Sequence, residues 1–223
     1  MVMVYVPGAE FETSLGRVVA LDDFWIDRTE VRNAQYRRCV DAGGCEPPLE
    51  TSSYSRDVYY GESDYDDYPV TWVNYDRAAA YCEWAGARLP DEAEWEYAAR
   101  GPERRRFPWG DDFDGVRLNF CDANCTFGMA DEMVDDGYID TSPVGRFPTG
   151  ASWCGARDLA GNVWEWVANR YDGATDGGYR VMRGGSWLNH QALVRADVRY
   201  PTVQTFSGYY VGFRCAGLPG KEE

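Results

Sequence analysis

The chain contains one histidine, His190, and one lysine, Lys221, in 223 residues. A lysine-centred active site therefore has almost no material, and a metal held by several imidazoles is excluded by count. Between Cys154 and Cys215 there is no cysteine, and thiolate chemistry cannot be supplied by Asn189, His190 or Val194 in that stretch. No run approaches the roughly 18 apolar residues of a membrane helix, so no membrane insertion is expected. Residues 1–8 lack a basic start and a cleavable apolar segment. They read as a strand opening a domain, as if cut from a longer protein, which leaves the compartment weakly constrained and the cytoplasm slightly favoured. No linker composition, charge run or internal repeat divides the sequence, so 1–223 reads as a single domain. Basic surface is lacking too. A formal charge of -15 excludes nucleic acid, whose phosphates demand cationic partners.

What is present is aromatic and acidic. With 9 Trp, 16 Tyr and 9 Phe, the core is expected to be built largely of rings. The carboxylates read first as a solvated surface, while a subset of them suits divalent cations. Seven cysteines leave one unpaired if the rest form disulfides. Cys39 with Cys45 and Cys121 with Cys125 flank short loops that a disulfide would close. A four-thiolate zinc site is the rival, although the spacings do not repeat as Cys-x-x-Cys knuckles. Helices are expected over 29–40, over 76–85 up to Gly86, and after Asp91, which with Glu94 forms a capping-box pair. Strands are expected over 163–167, 179–183 and 210–214, within a second half of long Gly- and Asp-rich loops. Such loops need an added constraint, for instance metal or disulfides.

Four segments, in order and spacing, carry a family resemblance: Gly86-Ala87-Arg88-Leu89-Pro90-Asp91-Glu92-Ala93-Glu94-Trp95-Glu96-Tyr97, Gly161-Asn162-Val163-Trp164-Glu165-Trp166, Arg183-Gly184-Gly185-Ser186-Trp187 and Gly212-Phe213-Arg214-Cys215. They resemble the formylglycine-generating enzyme family from about Val4 to Cys215. The resemblance implies a C-type-lectin-like α+β domain with little regular secondary structure. That family oxidises a target cysteine with a cysteine pair between the last two motifs, and here the pair is absent. Relatives that use mononuclear iron need several histidines, which this chain also lacks. An oxidoreductase of the family's type is accordingly disfavoured.

By the same resemblance calcium is implied as a structural cofactor. Asp158 and Glu165 would bind it through side chains, with carbonyls from Gly161 and Val163. A second site would draw on Asn119 and Asp136 with carbonyls from Phe120 and Tyr138. The alternative for these polar residues is turn capping. The family also implies a disulfide between Cys82 and Cys215, the rival being two buried free thiols, and leaves Cys154 as the odd cysteine. Glu83 and Glu165 sit beside tryptophans, where a carboxylate can become a general acid, but neither is assigned to catalysis. A triad of Ser186, His190 and Asp197 has no support from spacing.

The segment 188–210 carries the expected function. Its candidate ligand-binding residues are Leu188, Asn189, His190, Ala192, Val194, Asp197, Tyr200, Thr202, Val203, Thr205, Phe206, Ser207, Tyr209 and Tyr210. Tyrosine with small polar residues gives large contact area at small entropic cost. A varied stretch between Arg-Gly-Gly-Ser-Trp and Gly-Phe-Arg also resembles the variable proteins of diversity-generating retroelements. Their adenine-directed mutagenesis of Asn codons cannot produce Lys, Glu, Met or Trp, and none occurs from Leu188 to Gly212. The ligand would be an unidentified protein or small molecule. Two other readings are a catalytically dead relative with an ordinary loop there, and a sensor module fused to or associated with a protein kinase.

Overall fold

The computed structural model describes residues 2–171 and 178–217. Its elements are short and its loops long. The N-terminal part has strands β1 (Met3–Val6), β2 (Ala9–Glu12), β3 (Val18–Leu21) and β4 (Phe24–Asp27), then helices α1 (Asn33–Asp41), α2 (Tyr75–Trp84) and α3 (Glu92–Arg100). Strands β5 (Trp164–Arg170), β6 (Tyr179–Arg183), β7 (Tyr200–Val203), β8 (Val211–Phe213) and β9 (Ala216–Gly217) follow, the stretch 28–163 between β4 and β5 holding helices and loops but no strand. The main sheet runs β7-β6-β5-β8, with β5 and β8 parallel in register Trp164 to Val211 and Trp166 to Phe213. A second sheet, β1-β4-β9, brings the first and last strands together, and this is the α+β architecture expected.

Helix α3 starts where the sequence places it. Asp91 and Glu94 form the reciprocal capping box, with the Asp91 amide donating to Glu94 Oε2 at 2.8 Å. Helix α2 is capped one turn-position earlier than expected, by Asn74, whose side chain accepts from the Arg77 amide. Helix α1 begins at Asn33 rather than at Thr29. Val31 is held extended instead, its amide donating to Phe213 and its carbonyl accepting from Val70, so tertiary pairing overrides the local start signal.

Three disulfides close the fold: Cys39–Cys45, Cys82–Cys215 and Cys121–Cys125, with Cys154 free. Both local loops close as disulfides, which takes up the four thiols that the zinc alternative needs. Cys82–Cys215 spans 133 residues and ties α2 to the start of β9. The core is aromatic, with Trp95, Trp166, Trp187, Tyr36, Phe24 and Phe213 all essentially inaccessible. No helix among the described residues is long and apolar enough to cross a membrane.

Candidate functional site

The four sequence motifs meet in the interior through two buried ion pairs. Glu165 on β5 accepts from Arg214 at 2.6 and 2.7 Å and from the Trp95 indole at 2.7 Å. Arg183, at the end of β6, pairs with Glu96 of α3 at 2.8 Å and lies over the Trp95 ring. Each charge is fully removed from water, so each needs its partner. The loop after Arg183 turns through Gly185 at φ +75°, where a Cβ would lie 2.8 Å from the Leu193 carbonyl and from Val194. Only glycine serves there.

Arg183 also holds the first part of the 188–210 segment, donating to the carbonyls of Ala196 at 3.0 Å and Val198 at 2.9 Å. Asn189 accepts from the Ser186 amide and hydroxyl, both at 2.9 Å, and is 7% exposed, while Val194 is fully buried. Both therefore belong to the framework, which corrects their assignment as ligand-binding residues. Asp197 is bound by Arg195, His190 accepts from the Ala192 amide at 3.2 Å, and Ser186 is committed to Asn189. No triad is assembled.

The rest of the segment is accessible in two zones. Tyr200, Thr202 and Val203 lie on the edge strand β7, where Tyr200 rests on Trp164 at 5.2 Å between ring centroids. Thr205, Phe206, Ser207, Tyr209 and Tyr210 form the return loop. Phe206 contacts Tyr210, and Tyr210 contacts Tyr209 at 5.3 Å. Burial pushes the Tyr210 hydroxyl above its ordinary range, aided by Tyr200 and Tyr209. Leu188 and His190 are partly exposed and Ala192 is exposed; His190 lines a depression with Met129, Asp131 and Glu132 of the loop that follows Cys121, whose amide donates to the Asn189 carbonyl.

Sequence reasoning missed the residues that complete this surface. Tyr54 stands 5.6 Å from Tyr209, 5.2 Å from Trp187 and 5.7 Å from Phe127, and Trp72 stands 5.8 Å from Tyr209. Three separate loops thus build one aromatic platform over Trp187, with Tyr54 38% exposed. The Trp187 indole N–H is buried, with no acceptor among the described residues. The one available signal was a lone tyrosine in the polar run Ser52-Ser53-Tyr54-Ser55.

The two calcium assignments fare differently against the donor sets. Beside Asp158, Glu165 is already neutralised by Arg214, so it is not a free ligand and the first set fits poorly. Asp158 instead accepts from the Gly145 amide at 2.5 Å and faces Glu30, whose Oε2 is buried without a partner. Burial, then their mutual charge, pushes Glu30 upward, and burial raises Asp158 as well. Gly161 and Val163 are buried in the turn between them and β5. In the second set, Asn119 Oδ1 is buried without a partner. Asp136 accepts from the Phe120 and Tyr138 amides and is raised to about 8 by burial and by neighbouring Asp122. An orphaned acceptor and a carboxyl raised by burial are donors of the kind a hard cation takes. Among the described residues no three His, Cys, Asp or Glu side chains converge on one metal position, so carbonyl oxygens would have to contribute.

Fold and site together define a loop-rich α+β domain of C-type-lectin-like architecture, its motifs locked inside and its aromatic loops outside. The chain belongs to the sulfatase-modifying factor enzyme 1-like domain family, which matches residues 2–217. It is 39% identical over 163 residues to the inactive C-alpha-formylglycine-generating enzyme 2 of Bos taurus, covering 70% of this chain and 52% of that protein. It is 33% identical over 260 residues to the formylglycine-generating enzyme of Thermomonospora curvata, covering 91% of this chain and 84% of that one. The chain spans about half the length of the first curated relatives it matches. The solved structure of Treponema denticola variable protein 1 superposes with a TM-score of 0.74 at 20% identity, covering 97% of this chain and 95% of the other, and shares the fold.

Proposed function

We propose that this domain is a non-enzymatic ligand-binding module that presents the accessible part of 188–210, with Tyr54 and Phe127, on a rigid interior. The observation that carries this reading is the division of the segment itself. Its anchoring residues are fixed by Arg183 and Ser186, whereas Tyr200, Val203 and Thr205 are exposed, and Phe206 and Tyr210 are only partly buried against the core. The missing cysteine pair supports it, as does the likeness to a relative named as inactive. If the surface is diversified by adenine changes in Asn codons, Gln191 and Gln204 stand outside the diversified set. Their codons end in purines, which such changes leave out of reach. The three disulfides favour an oxidising compartment over the cytoplasm.

We further propose a structural calcium ion at Asn119 and Asp136, with the carbonyls of Phe120 and Tyr138. It would supply positive charge that lets the half-buried Asp136 stay ionised. The enzymatic alternative is tested by following oxygen uptake by the purified protein with a cysteine-containing peptide and a thiol reductant. No uptake above the protein-free rate is expected. Uptake with conversion of the peptide's cysteine to an aldehyde would overturn the non-enzymatic reading.

A further inference from the structure

We propose that the partner bound at this surface is a basic peptide segment of another protein, engaged through arginine side chains; this rests on the binding reading above and adds the class of ligand. A depression of ≈ 420 Å³ lies beside the aromatic platform, lined in part by Met129, Asp131, Glu132, His190 and Gln191. Two carboxylates face it, and no arginine or lysine is among its lining residues. The loop that supplies them also supplies Phe127, which packs on Tyr54 at 5.7 Å and on Trp187 at 6.3 Å. One loop thus contributes to hollow and platform alike; it is closed on itself by the Cys121–Cys125 disulfide and tied to the 188–210 segment by the Cys121 to Asn189 hydrogen bond at 3.1 Å.

The chemistry of hollow and platform selects the same partner. A guanidinium pairs with carboxylates in the hollow and stacks on ring faces of the platform. The protein already handles its own guanidinium groups in this way. Arg180 lies 3.9 Å from the Tyr75 ring centroid, and Arg56 lies 4.9 Å from the Tyr65 and Tyr68 centroids while bound to Asp140. A net charge of -15 adds long-range attraction for a basic segment and repels an acidic one.

The test uses fluorescein-labelled twelve-residue peptides of alternating Arg/Tyr, alternating Glu/Tyr, and Gly/Ser, titrated by fluorescence polarisation against the whole chain. The Arg/Tyr peptide is expected to bind, with weakening by added salt. The pair Asp131→Asn and Glu132→Gln should weaken it about tenfold, and Tyr54→Ala should do the same. Glu10→Gln with Glu103→Gln, on surfaces that do not line the hollow, should leave it unchanged and so measures unspecific attraction to the acidic chain. Equal binding by the hollow variants, or equal affinity for the Glu/Tyr peptide, would overturn the basic-partner inference. If the Glu/Tyr peptide binds and Tyr54→Ala abolishes it, the inference falls while the binding surface stands. If Tyr54→Ala matches the unaltered protein with every peptide, both fall. Melting curves of the variants, all at accessible positions, establish that each is folded.

Discussion

Removing Arg214 strips the one guanidinium that, among the described residues, pairs with Glu165 in a site closed to water. Arg214→Met is expected to destabilise by about 3–5 kcal/mol, because an uncompensated buried carboxylate remains. Changing both Arg214→Met and Glu165→Gln should cost clearly less than the single change, which paired denaturant melts will show. Asp27 offers a pH test in the same interior. Burial raises its carboxyl to about 7, against the hydrogen bond from the Cys215 amide and the charge of Arg214. An unfolded aspartate titrates near 3.9. Between about pH 4 and 7 the folded state therefore holds the proton that the unfolded state has lost, so this residue's contribution to stability falls as pH rises through that window. Asp27→Asn keeps an acceptor for the amide, and the melting temperature of that variant should fall less from pH 5 to pH 8 than that of the parent. An equal slope would assign the pH response to other groups.

At the scale of elements, the long crosslink and the segment it frames make separate predictions. Peptide mapping under non-reducing conditions should recover Cys82 linked to Cys215. Replacing both by alanine should cost roughly 4–5 kcal/mol in the chain-entropy model, because so long a loop is released in the unfolded chain. What was legible at this scale follows from locality. The capping box of α3, the strand over Tyr179–Arg183 and the family motifs are each set by residues close in sequence. The delayed start of α1 was not legible, because Val31 is held by Phe213, far along the chain. Nor was β7, whose Pro201 speaks against a strand until its place at a sheet edge is known. The candidate site divides the same way. Tyr209 and Tyr210 were found from composition, whereas Tyr54, Trp72 and Phe127 reach the platform only through tertiary contact. Asn189 and Val194 looked like display residues because their duties, a hydrogen bond from Ser186 and burial against Gly185, exist only once the loop is folded.

For the whole molecule, the account joins a fixed interior to a tolerant exterior. If calcium contributes to that interior, protein purified without chelator should contain it, and chelation should lower the melting temperature. Asp136→Asn should remove the chelator's effect, and elemental analysis without calcium, together with unaltered melting, would discard the site. The central claim, that accessible residues of 188–210 form a display surface on a framework, is tested most directly by a melting series across that segment. Tyr200→Ser, Val203→Thr and Thr205→Ala should each change stability by no more than about 0.5 to 1 kcal/mol. Val194→Ala, Asn189→Ala and the core change Trp166→Ala should be much costlier, with Trp166→Ala at about 3–5 kcal/mol. Uniform sensitivity across the series, with the accessible positions as intolerant as Val194 and Trp166, would contradict the account and make the segment a structural part of the core.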